Sequence, residues 1–328
     1  MSTGDVHLLS SGATVVFTGG MPAPHPDSTQ PPLASDELRA PVGNDVELCY
    51  QTFGDPDDEP LLLVMGLSGP MTWWDQALCE QLASAGFHVV RYDNRDTGRS
   101  SRVAAPVRRD QLVRAFATGR ARTAYTMSDL AGDAVALLDH HGLESAHLVG
   151  VSMGGMIAQT VAVEHPTRVR SLTSISSTTG RRSVGWQHPS LLPRLIGPRK
   201  AGRDAYVESS IAMWALIGSA AYPSDPEALR TRAGETFDRG VSASGVVRQM
   251  LAILTQGDRT PRLRSLRIPA LVIHGNADKM VHVSGGRSTA AAIPGAELIT
   301  IDGMGHDLPP ELFGTFVEAI RRTADRAS

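Results

Sequence analysis

The chain of 328 residues carries 31 Lys and Arg against 34 Asp and Glu, a net charge of −3, which leaves no basic footprint for nucleic acid. Two cysteines, Cys49 and Cys79, are too few for a disulfide framework and read as small buried hydrophobes. The most hydrophobic internal stretch, residues 211–221, is too short to span a bilayer, and the start of the chain lacks the pattern of a signal peptide, so a soluble, cytoplasmic protein is expected.

Residues 1–40 are poor in charge and punctuated by Pro22, Pro24, Pro26, Pro31 and Pro32, which predicts an irregular N-terminal arm. From there apolar and helical segments alternate. Residues 46–53 read as a strand ending at the turn Asp55-Pro56-Asp57-Asp58, residues 61–65 as a second strand, and 73–85 as a helix stopped by Gly86. A strand follows over 88–92. Residues 128–141 form an amphipathic helix with Leu130, Ala134, Leu137 and Leu138 on one side. Residues 169–175, 268–273 and 297–301 are further strands. This alternation predicts a mostly parallel sheet flanked by helices. Residues 178–262 interrupt it with helical stretches alone and are expected to form an inserted helical cap, leaving 41–177 and 263–328 as the core.

Chemistry concentrates at Gly150-Val151-Ser152-Met153-Gly154-Gly155, a G-x-S-x-G placed where an apolar strand gives way to a helix. Such a turn holds a serine hydroxyl out of the packed layers and aims helix amides at charge developing beside it. A serine needs a base, and the base needs a carboxylate to fix its tautomer. Among 11 histidines, His306 combines a late position, flanking glycines and a preceding strand. Asp278 follows the strand before it, with Asp302 and Asp307 as rivals too close in sequence to His306 to orient it easily. His274, beside Asp278, is expected to pack or hydrogen-bond structurally. The order Ser152, Asp278, His306 is the one expected of α/β-hydrolases. For the oxyanion, the Met153 amide and the Leu67 amide in Met65-Gly66-Leu67-Ser68-Gly69 are the candidate donors.

With these segments, Trp73-Trp74-Asp75, and the run Arg91-Tyr92-Asp93-Asn94-Arg95-Asp96-Thr97-Gly98-Arg99-Ser100, the chain resembles the α/β-hydrolase superfamily over about residues 42–325. Within it, the likeness is to aclacinomycin methylesterase-type and mycobacterial lipase/esterase-type enzymes. The resemblance implies an α/β-hydrolase fold and a serine carboxylic ester hydrolase acting on small to medium apolar esters. Met65-Gly66 replaces the His-Gly of many relatives, and Asp96 stands where many have glycine, with Arg95 or Arg99 as its expected partner. A serine at the elbow argues against dehalogenase or epoxide hydrolase chemistry.

No cofactor and no metal site is expected. The expected partner is a small-molecule ester, and the oligomeric state is left open. Arg181, Arg182, Arg194, Arg199 and Arg203 in the cap read first as a solvated face and second as a peripheral contact with anionic lipid. Met213 and Trp214 are the cap residues expected to face Ser152. A thioesterase or a phospholipase or lipase would use the same residues, and a non-catalytic ligand-binding protein of this fold is the alternative from another class.

Overall fold

The central strands are apolar on both faces, as a sheet covered by helices on each side requires. Residues 61–64 at the centre of the sheet are completely buried. A computed structural model of the chain describes residues 6–10, 13–16, 34–191, 193–194 and 201–327. The strands are β1 (Val6–Ser10), β2 (Ala13–Val16), β3 (Leu38–Pro41), β4 (Glu47–Phe53), β5 (Glu59–Val64), β6 (Phe87–Tyr92), β7 (Ala146–Val151), β8 (Val169–Ile175), β9 (Ala270–Gly275) and β10 (Glu297–Ile301). They form one sheet in the order β2-β1-β10-β9-β8-β7-β5-β6-β4-β3. The block from β10 to β6 is parallel, and β4, β3, β1 and β2 join it antiparallel. A parallel block places every strand's C-terminal end on one edge, where sites of open α/β sheets form.

Two cores sandwich the sheet. On one face lie α3 (Met127–His140) and α4 (Met153–Glu164), which bury Leu130, Leu137, Ile157 and Val161. On the other lie α1 (Gln76–Ser84) and α10 (Phe313–Asp325), with Leu78, Leu82, Phe316 and Ile320. The remaining helices are α2 (Arg109–Thr118), between β6 and α3, and α9 (Ser284–Ala292), between β9 and β10. Between β8 and β9 come α5 (Arg203–Ile217), α6 (Pro226–Gly240), α7 (Ala243–Thr255) and the short α8 (Thr260–Leu263), with no strand among the described residues.

The N-terminal segment departs from its expectation as an irregular arm. Residues 6–10 pair antiparallel with β10, and residues 13–16 pair with β1. The unpaired backbone groups along the outer side of β10 explain this: an open sheet edge is a template for any segment able to extend. Residues 38–41 likewise pair with β4. The prolines at 22–32 lie outside the described residues.

Candidate active site

Ser152 sits between β7 and α4 with φ 56° and ψ −119°, a left-handed backbone that a side chain rarely adopts. The neighbouring glycines permit it. A Cβ on Gly150 would strike the Gly154 carbonyl, and one on Gly154 would strike the Val64 carbonyl. Strand, turn and helix are therefore in backbone contact, which only glycine allows. The strained turn is held by Ser152 N–H donating to the Ile175 carbonyl at 2.9 Å and by Ser177 Oγ–H donating to the Ser152 carbonyl at 2.7 Å.

The loops after β9 and β10 bring Asp278 and His306 to this serine. His306 Nε2 lies 3.0 Å from Ser152 Oγ, and His306 Nδ1 lies 2.7 Å from Asp278 Oδ2. The other carboxylate oxygen accepts the Met280 and Val281 amides at 2.8 and 2.9 Å. Asp278 is buried. Burial alone opposes its ionisation, but His306 and His274 outweigh that and hold its carboxyl well below the usual carboxylate range. The rivals of Asp278 are engaged elsewhere: Asp302 accepts from Asn276 Nδ2, and Asp307 accepts from Ser219. His274 is fully buried, with Nε2 2.8 Å from the Val281 carbonyl and 3.5 Å from Asp278 Oδ2. It lies against the same carboxylate oxygen as His306, a closer tie to the site than its place in a strand suggests.

The Met65–Gly69 loop lies directly over the serine. A Cβ on Gly66 would come within 3.1 Å of Ser152 Cβ and 3.7 Å of Oγ. Gly69 N–H donates to the Gly66 carbonyl at 3.2 Å, closing a tight turn with Leu67 and Ser68 at its centre. Met153 N–H belongs to the first residue of α4, one of the amides a helix leaves without an internal acceptor.

The segment 201–262 touches the site's loops through side chains that no motif signals. His306 N–H donates to the Ile217 carbonyl at 2.7 Å, and Gly305 N–H donates to Ser219 Oγ at 2.8 Å, so the histidine loop is seated on the end of α5. Trp214 of α5 meets Trp73 edge to face at 5.3 Å, and Trp73 Nε1–H donates to Thr236 of α6 at 2.9 Å. Gln249 of α7 is fully buried and bonded to Ser68. In the sequence Gln249 is only a polar residue among the apolar ones of 243–255, which gives no sign of these contacts.

Asp96 does not pair with Arg95 or Arg99. Its carboxylate is held by Arg248 of α7 at 2.7 and 2.8 Å and by Tyr125 Oη at 2.7 Å. Arg95 instead pairs with Asp133 and Arg99 with Glu37. Asp96 keeps the left-handed backbone that suits glycine there, φ 68°, and its side chain reaches a partner 152 residues away. Of the arginines expected on a solvated cap face, Arg203 is paired with Asp238 and Arg182 donates to the Phe116 carbonyl, while Arg199 lies outside the described residues. Among the described residues no group of three or more His, Cys, Asp or Glu could hold a metal ion, and no helix is long and apolar enough to cross a membrane.

Comparison with known proteins agrees with this architecture. Residues 59–311 match the model of the alpha/beta hydrolase fold family. The chain is 31% identical over 294 residues to rhodomycin D methylesterase DnrP of Streptomyces peucetius, covering 82% of this chain and 91% of that protein. It is 26% identical to 3-oxoadipate enol-lactonase 2 of Acinetobacter baylyi, covering 86% and 95%. The enol-lactonase structure from Burkholderia xenovorans LB400 superposes with a TM-score of 0.69 at 24% identity, covering 88% of this chain and all of the other. The chain belongs to the alpha/beta hydrolase fold family.

Proposed function

We propose that the protein is a serine carboxylic ester hydrolase. Ser152 Oγ attacks the ester carbonyl while His306 Nε2 takes its proton. Asp278 accepts the His306 Nδ1 proton in a hydrogen bond, which keeps Nε2 free as the base and stabilises the imidazolium that forms. The Leu67 and Met153 amides donate to the oxyanion. His306 then protonates the leaving alcohol, and an acyl-enzyme on Ser152 remains. Water, deprotonated by the same imidazole, releases the acid and restores the serine.

The observation that carries this reading is the continuous chain Ser152 Oγ–His306 Nε2 and His306 Nδ1–Asp278 Oδ2, at 3.0 and 2.7 Å, on a strained turn with both contacts formed at once. Relatives named as a methylesterase and an enol-lactonase support an ester or lactone substrate. Small to medium apolar esters fit best, because Met65 leaves the loop over the serine without the polar side chain that histidine would bring.

Hydrolysis of p-nitrophenyl esters from acetate to palmitate, with wild type beside Ser152→Ala, tests the reading. Ser152-dependent activity peaking at short chains is expected. A maximum at long chains redirects the search to lipid or acyl-thioester substrates. Equal rates in wild type and Ser152→Ala, together with no labelling by a serine-reactive phosphonate, sink the proposal.

A further inference from the structure

The loop that carries Leu67 holds a left-handed residue at Ser68. Its turn, closed by Gly69 N–H donating to the Gly66 carbonyl, has a positive φ at its third residue, a backbone that favours glycine or asparagine there. This chain places Ser68 there, with φ 56°. Such a conformation persists only where surrounding contacts impose it.

A contact on this residue comes from α7. Ser68 N–H donates to Gln249 Oε1 at 2.9 Å, across 181 residues of chain. Gln249 Nε2 donates in turn to the Arg95 carbonyl and to Thr97 Oγ1, each at 2.9 Å. This orientation of the amide is the one that satisfies every partner, since a flipped amide would set Nε2 against the Ser68 N–H. The next side chain back, Arg248, is clamped to Asp96. Two consecutive residues of α7 thus grip the two loops that follow β5 and β6.

The consequence for chemistry runs through one peptide unit. In a trans peptide the carbonyl and the N–H point in opposite directions. Fixing the Gly66 carbonyl inside the turn therefore fixes the direction of the Leu67 N–H on a loop already against Ser152. We propose that Gln249 is the positioning residue of the oxyanion loop: it holds the Ser68 backbone in its strained state and so holds the Leu67 amide toward the substrate oxygen. This rests on the serine hydrolase reading above. It makes α7 part of the machinery that stabilises the transition state, and it assigns a role to a side chain that touches no substrate.

Gln249→Met keeps the length of the side chain and removes its hydrogen bonds, while Arg248 still ties α7 to Asp96. The experiment measures kcat and KM for p-nitrophenyl acetate, Tm, and inhibition by an alkyl trifluoromethyl ketone, whose adduct with Ser152 carries an oxyanion. Gln249→Met is expected to lower kcat at least ten-fold with KM within two-fold, and to weaken the ketone in proportion to kcat. Adding Ser68→Gly, which takes the positive φ without support, is expected to recover part of the lost kcat. Where Gln249→Met does not fold, Thr97→Val removes one anchor of the amide and is expected to lower kcat two- to five-fold at constant KM. Unchanged kcat and unchanged ketone inhibition in the folded variants, with only Tm reduced, overturn the proposal. A wild type with no activity beyond Ser152→Ala refutes the hydrolase reading instead, and is told apart by that control.

Discussion

One oxygen of Asp278 faces His306 Nδ1 at 2.7 Å, while the other is pinned by the Met280 and Val281 amides. The carboxylate cannot rotate to offer a different atom, because two main-chain donors fix Oδ1 in place. In Asp278→Asn the carbonyl oxygen would stay with those amides, and the new NH2 would face His306. Nδ1 must then accept, so the proton moves to Nε2, the atom that takes the proton of Ser152 in the proposed mechanism. The fold should survive and kcat should fall by about 10,000-fold, as expected for the wrong tautomer. Steady-state kinetics beside circular dichroism check this; a loss below ten-fold would remove Asp278 from the relay.

The elbow glycines give a paired prediction on stability. A methyl group on Gly154 meets the Val64 carbonyl with no room to move, because both belong to the packed layers. Gly154→Ala should lose about 3 kcal/mol or more, through backbone displacement. Gly132 lies inside α3, and nothing stands within 4 Å of the site of its added methyl. There alanine should stabilise by roughly 0.5–1 kcal/mol through helix propensity and the unfolded chain. Urea unfolding of the two variants separates these outcomes, and similar shifts in both would contradict the close-packing account.

These relationships show how far the sequence could be read. Residues 169–175 and 297–301 are strands with the expected limits, since short apolar runs between turn residues have few other uses. Ser152, Asp278 and His306 were legible because each follows a strand end and carries glycine or turn residues beside it. Four kinds of feature were not legible. The pairing of residues 6–16 with β10 depends on an open sheet edge, which local composition does not reveal. Helix α10 carries Phe313, Phe316 and Ile320 at helical spacing, but no motif marks it in the sequence. The partner of Asp96 is 152 residues away, so nearby arginines were the natural and mistaken choice. Gln249 reads as one polar residue in an amphipathic helix until its neighbours are known.

Acid should weaken the fold through buried imidazoles. His147 on β7 is almost wholly buried, with Nδ1 2.8 Å from Ser171 Oγ and Nε2 without a hydrogen-bond partner among the described residues. Burial, only partly offset by Glu59, pushes its pKa down to about 4 from the ordinary 6.5, and burial pushes His141 down to about 4 as well. Between those values the unfolded chain binds protons that the folded chain refuses. Stability is therefore complete above about pH 6.5 and falls as pH drops toward 4. His147→Gln, which cannot titrate, should show a smaller loss of Tm between pH 7 and pH 5 than wild type. Parallel Tm curves for the two proteins would show that His147 does not contribute.

The Asp96–Arg248 pair offers the sharpest test of how α7 is attached. Both side chains are buried, and Asp96 also accepts from Tyr125 Oη and from the Val103 amide. Burial opposes the ionisation of Asp96, but Arg248 and Tyr125 outweigh it and lower its pKa, so the pair is charged at neutral pH. Removing one member strands the other. In Asp96→Ala, Arg248 keeps the Ala105 carbonyl at 2.7 Å and the Tyr125 hydroxyl but no anion, and a buried cation without its anion costs about 3–5 kcal/mol. Arg248→Met leaves the anion with Tyr125 and the amide, so its cost should be smaller. The double variant leaves no unpaired charge, and its loss should fall short of the sum of the single losses by more than 1 kcal/mol, a coupling of the size contacting residues show. Urea denaturation of the four proteins measures that coupling. Strict additivity would mean the two charges are each satisfied by other groups, and α7 would then depend on Gln249 and apolar packing alone.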